Sequence, residues 1–253
     1  MTRPLYNDNM LKKWMLAAAL LGLAQGAEIQ VLCSNGVGAV LRELQPQFEK
    51  STGHKLAIQF SSTANLKQRI EGGEAFDVVF LTADTADELI KSGKLAGATR
   101  AELARSGIGV GFRKGAPKPD VRTAAAMKQS LMNAKSIAYT GNGASRPSID
   151  KMLERMGLAS QVKSKVRLTG AGQAPEIVAK GEAEMVITLI SEILPVPGVE
   201  LAGPLPEEFQ NYVSFSAAAA AKGGNQQAVT ALIKYMDGPA AVPAYKAQGM
   251  EPR

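Results

Sequence analysis

From residue 29 onward the chain repeats one device: a short apolar run, a small polar turn, then a segment with apolar residues three and four apart. Residues 29–33 read as a strand, and 40–50 as a helix through Leu41, Leu44 and Phe48. Residues 56–60 give the next strand and 62–71 the next helix. A third strand at 76–81 is followed by a helix at 85–91 that stops at Gly93. A strand at 106–113 then runs into Lys114-Gly115-Ala116-Pro117-Lys118-Pro119, where proline and glycine mark a turn and a lobe boundary. The second series has strands at 136–139, 166–169, 184–188 and 199–201, with helices at 148–156 and 174–180. A strand at 212–219 and helices at 226–236 and 239–248 close the chain. Such alternation predicts an α/β fold in which mostly parallel sheets are flanked by helices.

The first 26 residues do not follow this pattern. Arg3, Lys12 and Lys13 precede an uncharged apolar run at 14–23, and Ala24-Gln25-Gly26 offers small residues for cleavage. That is the three-part layout of a secretory signal peptide, and the apolar run is about half of the ~20 residues that span a bilayer. Residues 1–26 are therefore expected to direct export. Their removal leaves 26 basic against 22 acidic residues, a net charge of +4. The excess is mild, no run of Lys and Arg occurs, and aromatic residues make up 5%, so a nucleic-acid partner is not expected.

The single cysteine, Cys33, ends an apolar strand and reads as a buried thiol. The single histidine, His54, lies in a polar turn with no metal-ligand spacing around it and reads as a solvated loop residue. Neither a catalytic triad nor a metal site is supported, and no cofactor is expected.

Small polar residues instead gather at four strand-to-helix turns. These are Ser34-Asn35-Gly36-Val37-Gly38, Ser61-Ser62-Thr63, Thr140-Gly141-Asn142-Gly143-Ala144-Ser145 and Gly170-Ala171-Gly172-Gln173. In an open α/β sheet such turns share the carboxyl edge, where ligands bind. Helix N-termini carry unpaired N–H donors and partial positive charge, which suits an anion. No turn has the phosphate-loop lysine or a complete dinucleotide fingerprint. The ligand-binding candidates are Ser34, Asn35, Gly36, Ser61, Ser62, Thr63, Asn142, Ser145, Arg146 and Ala171. Arg146 stands out because a guanidinium grips a carboxylate or phosphate with two parallel hydrogen bonds.

Four stretches carry a family resemblance: Phe48-Glu49-Lys50-Ser51-Thr52-Gly53, Phe60-Ser61-Ser62-Thr63, Phe76-Asp77-Val78-Val79-Phe80 and Tyr235-Met236-Asp237-Gly238-Pro239-Ala240-Ala241. In these the chain resembles the periplasmic molybdate-binding superfamily of ABC-transporter solute receptors. The resemblance implies a two-lobed type II periplasmic-binding-protein fold with two hinge crossings. Lobe I would comprise 27–110 with 211–253, and lobe II 111–210. It also implies a monomer in the periplasm that closes around a small anion and delivers it to an inner-membrane ABC permease. In that family the oxyanion is held from the turns matched here by Ser34, Gly36, Ser61, Ser62, Ser145 and Ala171, and Leu189 falls where a contacting tyrosine stands. Ile190-Ser191-Glu192-Ile193 and Gly203-Pro204-Leu205-Pro206 resemble a second branch, bacterial aconitate isomerase. That branch implies an enzyme moving a proton in an unsaturated tricarboxylate, with Glu192 and Tyr139 as its candidate catalytic groups.

Overall fold

The computed structural model describes residues 26–253, so the expected targeting segment lies outside the described residues except for Gly26. The first alternating series gives β1 (Glu28–Ser34), α1 (Asn35–Thr52), β2 (Lys55–Ser61), α2 (Thr63–Glu71), β3 (Val78–Thr82) and α3 (Ala83–Lys91). A long strand, β4 (Ala101–Arg113), leads to α4 (Ala124–Asn133), β5 (Ile137–Thr140), α5 (Arg146–Arg155), α6 (Ala159–Val162) and β6 (Val166–Thr169). Then come α7 (Ala174–Ala179), β7 (Met185–Leu189), α8 (Ile190–Ile193) and β8 (Val199–Pro204). The chain finishes with β9 (Tyr212–Ala219), α9 (Gln226–Met236), α10 (Val242–Ala247) and β10 (Met250–Pro252).

The strands order as β2-β1-β3-β9-β4-β7-β5-β6, with β8 and β10 also pairing β4. Each end of this order has a parallel core of three strands, β2-β1-β3 and β7-β5-β6. Antiparallel pairing joins them through β9 and β4. Strand β4 serves both parts: its residues 101–107 pair with β9, and 108–113 pair with β7 and β8. The changeover falls between Gly107 and Ile108, several residues before the Pro/Gly stretch expected to mark the boundary.

Both faces of the parallel core are covered, which is why its strands read as nearly continuous apolar runs. Ile29, Val31 and Cys33 pack with Val37, Val40, Leu41, Leu44 and Phe48 of α1. On the other face Leu32, Val79 and Leu81 pack with Leu66 and Ile70 of α2 and Leu89 of α3. Burial pushes the Cys33 thiol far above its ordinary range, so it packs as an inert hydrophobe. His54 is not simply solvated: its Nδ1 accepts the Ala27 N–H at 3.0 Å, tying the turn before β2 to the start of β1.

Strand β4 carries glycine at every second position, 107, 109 and 111, while Ile108, Val110 and Phe112 enter the core on the other face. A Cβ at Gly109 would lie 2.8 Å from Ile190 Cγ1, and one at Gly111 would lie 3.1 Å from Ile193 Cγ2. The bare face thus lets α8 lie against the strand.

Helix α1 begins five residues before the predicted start. Gly36 and Gly38 weaken the helical signal, but they are needed for contact: a Cβ at Gly36 would overlap Phe215 and Leu189, and one at Gly38 would sit 3.1 Å from Phe60 Cδ1. Helix α5 likewise starts at Arg146, with Pro147 in its first turn, two residues ahead of the expected start.

Candidate functional site

Strands β1 and β2 run in register with Ser34 beside Ser61, so the helices that follow them start side by side. Ser34 occupies the N-cap of α1 in an extended conformation, yet its side chain caps nothing. Its Oγ instead accepts from Thr63 Oγ1 at 3.0 Å, in the first turn of α2. Ser62 does cap: its Oγ accepts the Asn65 N–H at 3.2 Å. Asn65 Nδ2 donates to Ser61 Oγ at 3.3 Å. Ser34, Ser62 and Thr63 are buried. Two helix N-termini, each at least two turns long, thus meet at a patch of hydroxyls with no charged side chain among them.

The second sheet repeats the arrangement. Thr140 of β5 lies beside Thr169 of β6, and the Gly141 N–H donates to the Thr169 carbonyl at 3.1 Å. The turns that follow reach back to the first sheet. Asn142 Nδ2 donates to Asn65 Oδ1 at 2.8 Å. Gly172, at φ +76°, lies so close to Asn35 that a Cβ would be 3.0 Å from Asn35 Nδ2. From α8, Ser191 Oγ donates to the Gly36 carbonyl at 2.6 Å, and the Ser191 N–H donates to Ser106 Oγ at 3.2 Å.

The candidate residues therefore divide. Ser34, Ser61, Ser62 and Thr63 form one cluster, joined to Asn142 through Asn65. Asn35 and Gly36 lie where α1 meets Gly172 and Ser191. Ser145 is buried at the N-cap of α5 without capping it, and Ala171 is half-buried in the opposing turn. Arg146 is already engaged: its Nε donates to both Asp150 carboxylate oxygens, at 2.8 and 2.7 Å, and its guanidinium stacks 5.0 Å from the Tyr139 ring.

The two groups expected to move a proton stand on different elements, Tyr139 on β5 and Glu192 on α8. Tyr139 is buried in the core with Ile149 and Met152, and burial raises its hydroxyl pKa. Glu192 on α8 is half-buried and accepts from Thr188 Oγ1; burial of the carboxyl pushes it above the usual carboxylate range.

Asn65 and Ser191 were not among the candidates, though they make the bonds between the sheets. Asn65 carried a faint signal, since it stands three residues after a capping serine. Thr169 Oγ1, at the carboxyl end of β6, is buried without a hydrogen-bond partner.

The model of the bacterial extracellular solute-binding protein family matches residues 29–251. An aconitate isomerase from Pseudomonas sp. is 32% identical over 244 residues, covering 94% of this chain and 93% of that protein. The molybdate-binding protein ModA of Azotobacter vinelandii is 30% identical over 241 residues, covering 92% and 94%. A solved structure of an Azotobacter vinelandii periplasmic molybdate-binding protein superposes with a TM-score of 0.75 at 19% identity, covering 88% of this chain and 98% of that one, a likeness of fold.

Proposed function

The chain belongs to the bacterial extracellular solute-binding protein family, and from that premise we propose that it captures a small anion between two closing lobes. The observation that carries this reading is the convergence of the α1 and α2 N-termini on buried hydroxyls, with Asn142 of the opposing sheet bonded to Asn65 at their edge. Donors aimed at one place from two sheets favour a closed, liganded arrangement over an open one, and the ligand shifts the population accordingly. The lobes are 27–110 with 211–253, and 111–210. The exchange of β4 pairing at 107–108 and the link from β8 to β9 support hinges near these limits. The protein acts as a monomer in the periplasm and hands its anion to an ABC permease of the inner membrane.

The donors available are neutral hydroxyls and backbone amides, because Arg146 is neutralised by Asp150. They fit a molybdate-like oxyanion or a small carboxylate. Thermal unfolding against molybdate, tungstate, sulfate and di- and tricarboxylates tests the reading. A ligand at 100 times its Kd stabilises by about 2.7 kcal/mol. Failure of every anion to raise Tm overturns it.

A second reading, an isomerase acting on aconitate, is favoured by the relative that is 32% identical over 94% of the chain. Proton NMR of cis-aconitate held with the protein separates the two. A receptor leaves the spectrum unchanged, and an isomerase produces the trans isomer.

A further inference from the structure

A groove of about 410 Å³ lies beside the converging turns, between α1 on one wall and α7, α8 and the residues after them on the other. Asn35 and Gly172, close together, both line it, whereas Ser34, Ser61, Ser62 and Thr63 do not. Arg42 comes from the α1 wall and Lys180 from the end of α7. Among the described residues neither makes an ion pair. The Arg42 guanidinium stacks 3.8 Å over the Phe60 ring, which holds its plane while leaving its N–H edge for a ligand. Ala39 and Pro195 give the groove apolar surface, and Glu176 and Glu192 are its acidic groups.

We propose that this groove is a second anion site, built for a compact di- or tricarboxylate that bridges Arg42 and Lys180. A guanidinium takes one carboxylate in a forked pair of hydrogen bonds, and the ammonium takes another as a point charge. Alanine and proline accommodate the carbon skeleton between them. Glu192 accepts from Thr188 Oγ1, and burial raises its carboxyl pKa, which lessens its repulsion of an anion beside it. Glu176, the other acid on the walls, disfavours ligands with carboxylates on its side. Because one wall is α1 and the other follows β6 and β7, occupancy favours the approach of the two sheets.

Isothermal titration calorimetry of the purified chain with tricarballylate and succinate at pH 7 tests this. Tricarballylate is chosen because it has no double bond to isomerise. Binding by the parent, weakened at least tenfold in both Arg42→Ala and Lys180→Ala, is the expected result. Both side chains belong to exposed residues, so the variants should fold, and circular dichroism checks that they do. Absence of tricarballylate and succinate binding overturns the proposal, as does parental affinity in the double variant. Loss of tricarballylate binding in Ser62→Ala but not in the double variant also overturns it, by placing the ligand in the turns.

Discussion

Gln210 grips Ile108 by both backbone groups: its Oε1 accepts the Ile108 N–H and its Nε2 donates to the Ile108 carbonyl, each at 2.9 Å. Ile108 is the residue at which β4 passes from β9 to β7, and the side-chain amide holds its backbone beside the Leu205 N–H, which donates to the same carbonyl at 3.0 Å. Gln210→Ala should lower stability by about 1–3 kcal/mol, the worth of two hydrogen bonds to a partly buried backbone. Urea unfolding reads this as a lower midpoint with unchanged slope. A midpoint equal to the parent's would show the grip to be dispensable.

Gly36 has no room for a methyl group. Its Cβ would overlap Phe215 Cζ and lie 2.9 Å from Leu189 Cδ1, and both neighbours are fully buried. Gly36→Ala should therefore destabilise by about 1–3 kcal/mol through overpacking. Adding Phe215→Leu should recover part of the loss in a thermal melt. If the second change only deepens the loss, the clash is not the cause.

Ser62 is expected to serve twice, as helix cap and as ligand donor. Ser62→Ala should cost about 1 kcal/mol of stability and also weaken anion binding. Ser62→Asp keeps the cap but places a negative charge where the anion would sit. It should melt near the parent temperature and bind at least tenfold more weakly. Equal affinity in Ser62→Asp would remove Ser62 from the binding site.

Two glutamates tilt stability with pH in opposite directions. Glu49 accepts from Gln45, the Leu56 N–H and Lys55, which hold its pKa at about 2 instead of 4.5. Its contribution is present above the unfolded value and fades as pH falls from 4.5 towards 2. Glu192 is raised, so its contribution is present at low pH and is lost as pH rises from 4.5 through the folded value. Glu49→Gln should flatten the acid limb of Tm against pH, and Glu192→Gln the limb above pH 4.5. Parallel profiles for parent and variants would refute both assignments.

Asn65 and Asn142 should act as one unit, since each bonds the other between the sheets. Either change to alanine should weaken binding of whichever anion the thermal panel identifies. The double variant should lose less than the sum of the two, with a coupling of about 0.5–3 kcal/mol. Strict additivity would mean that the contact does not contribute to capture.

The α/β alternation was legible because each apolar run sits beside a helix-period segment, and α9 at 226–236 and β9 at 212–219 fall where the pattern puts them. What escaped was short or relational. Helix α8 is four residues of Ile190-Ser191-Glu192-Ile193, too brief for periodicity. The early start of α1 was hidden by glycines whose purpose lies elsewhere, Gly36 against Phe215 far along the chain and Gly38 against Phe60. Arg146 pairs with Asp150, four residues on, at the spacing at which a helix pairs charges, a partner visible only once the helix is placed. Asn65 drew no notice because its partner, Asn142, is 77 residues away.

The sharing of β4 has a consequence for the order of folding. Its partners β7, β8, β9 and β10 all come later in the chain, and β3 also waits for β9. The first sheet lacks β9 until residue 219 and β10 until residue 252, whereas the second has all its strands by residue 204. Contacts this distant in sequence are costly in loop closure and slow to form. The strands of the first sheet in a growing chain therefore wait for β9 and β10, the last two strands, before their sheet is whole.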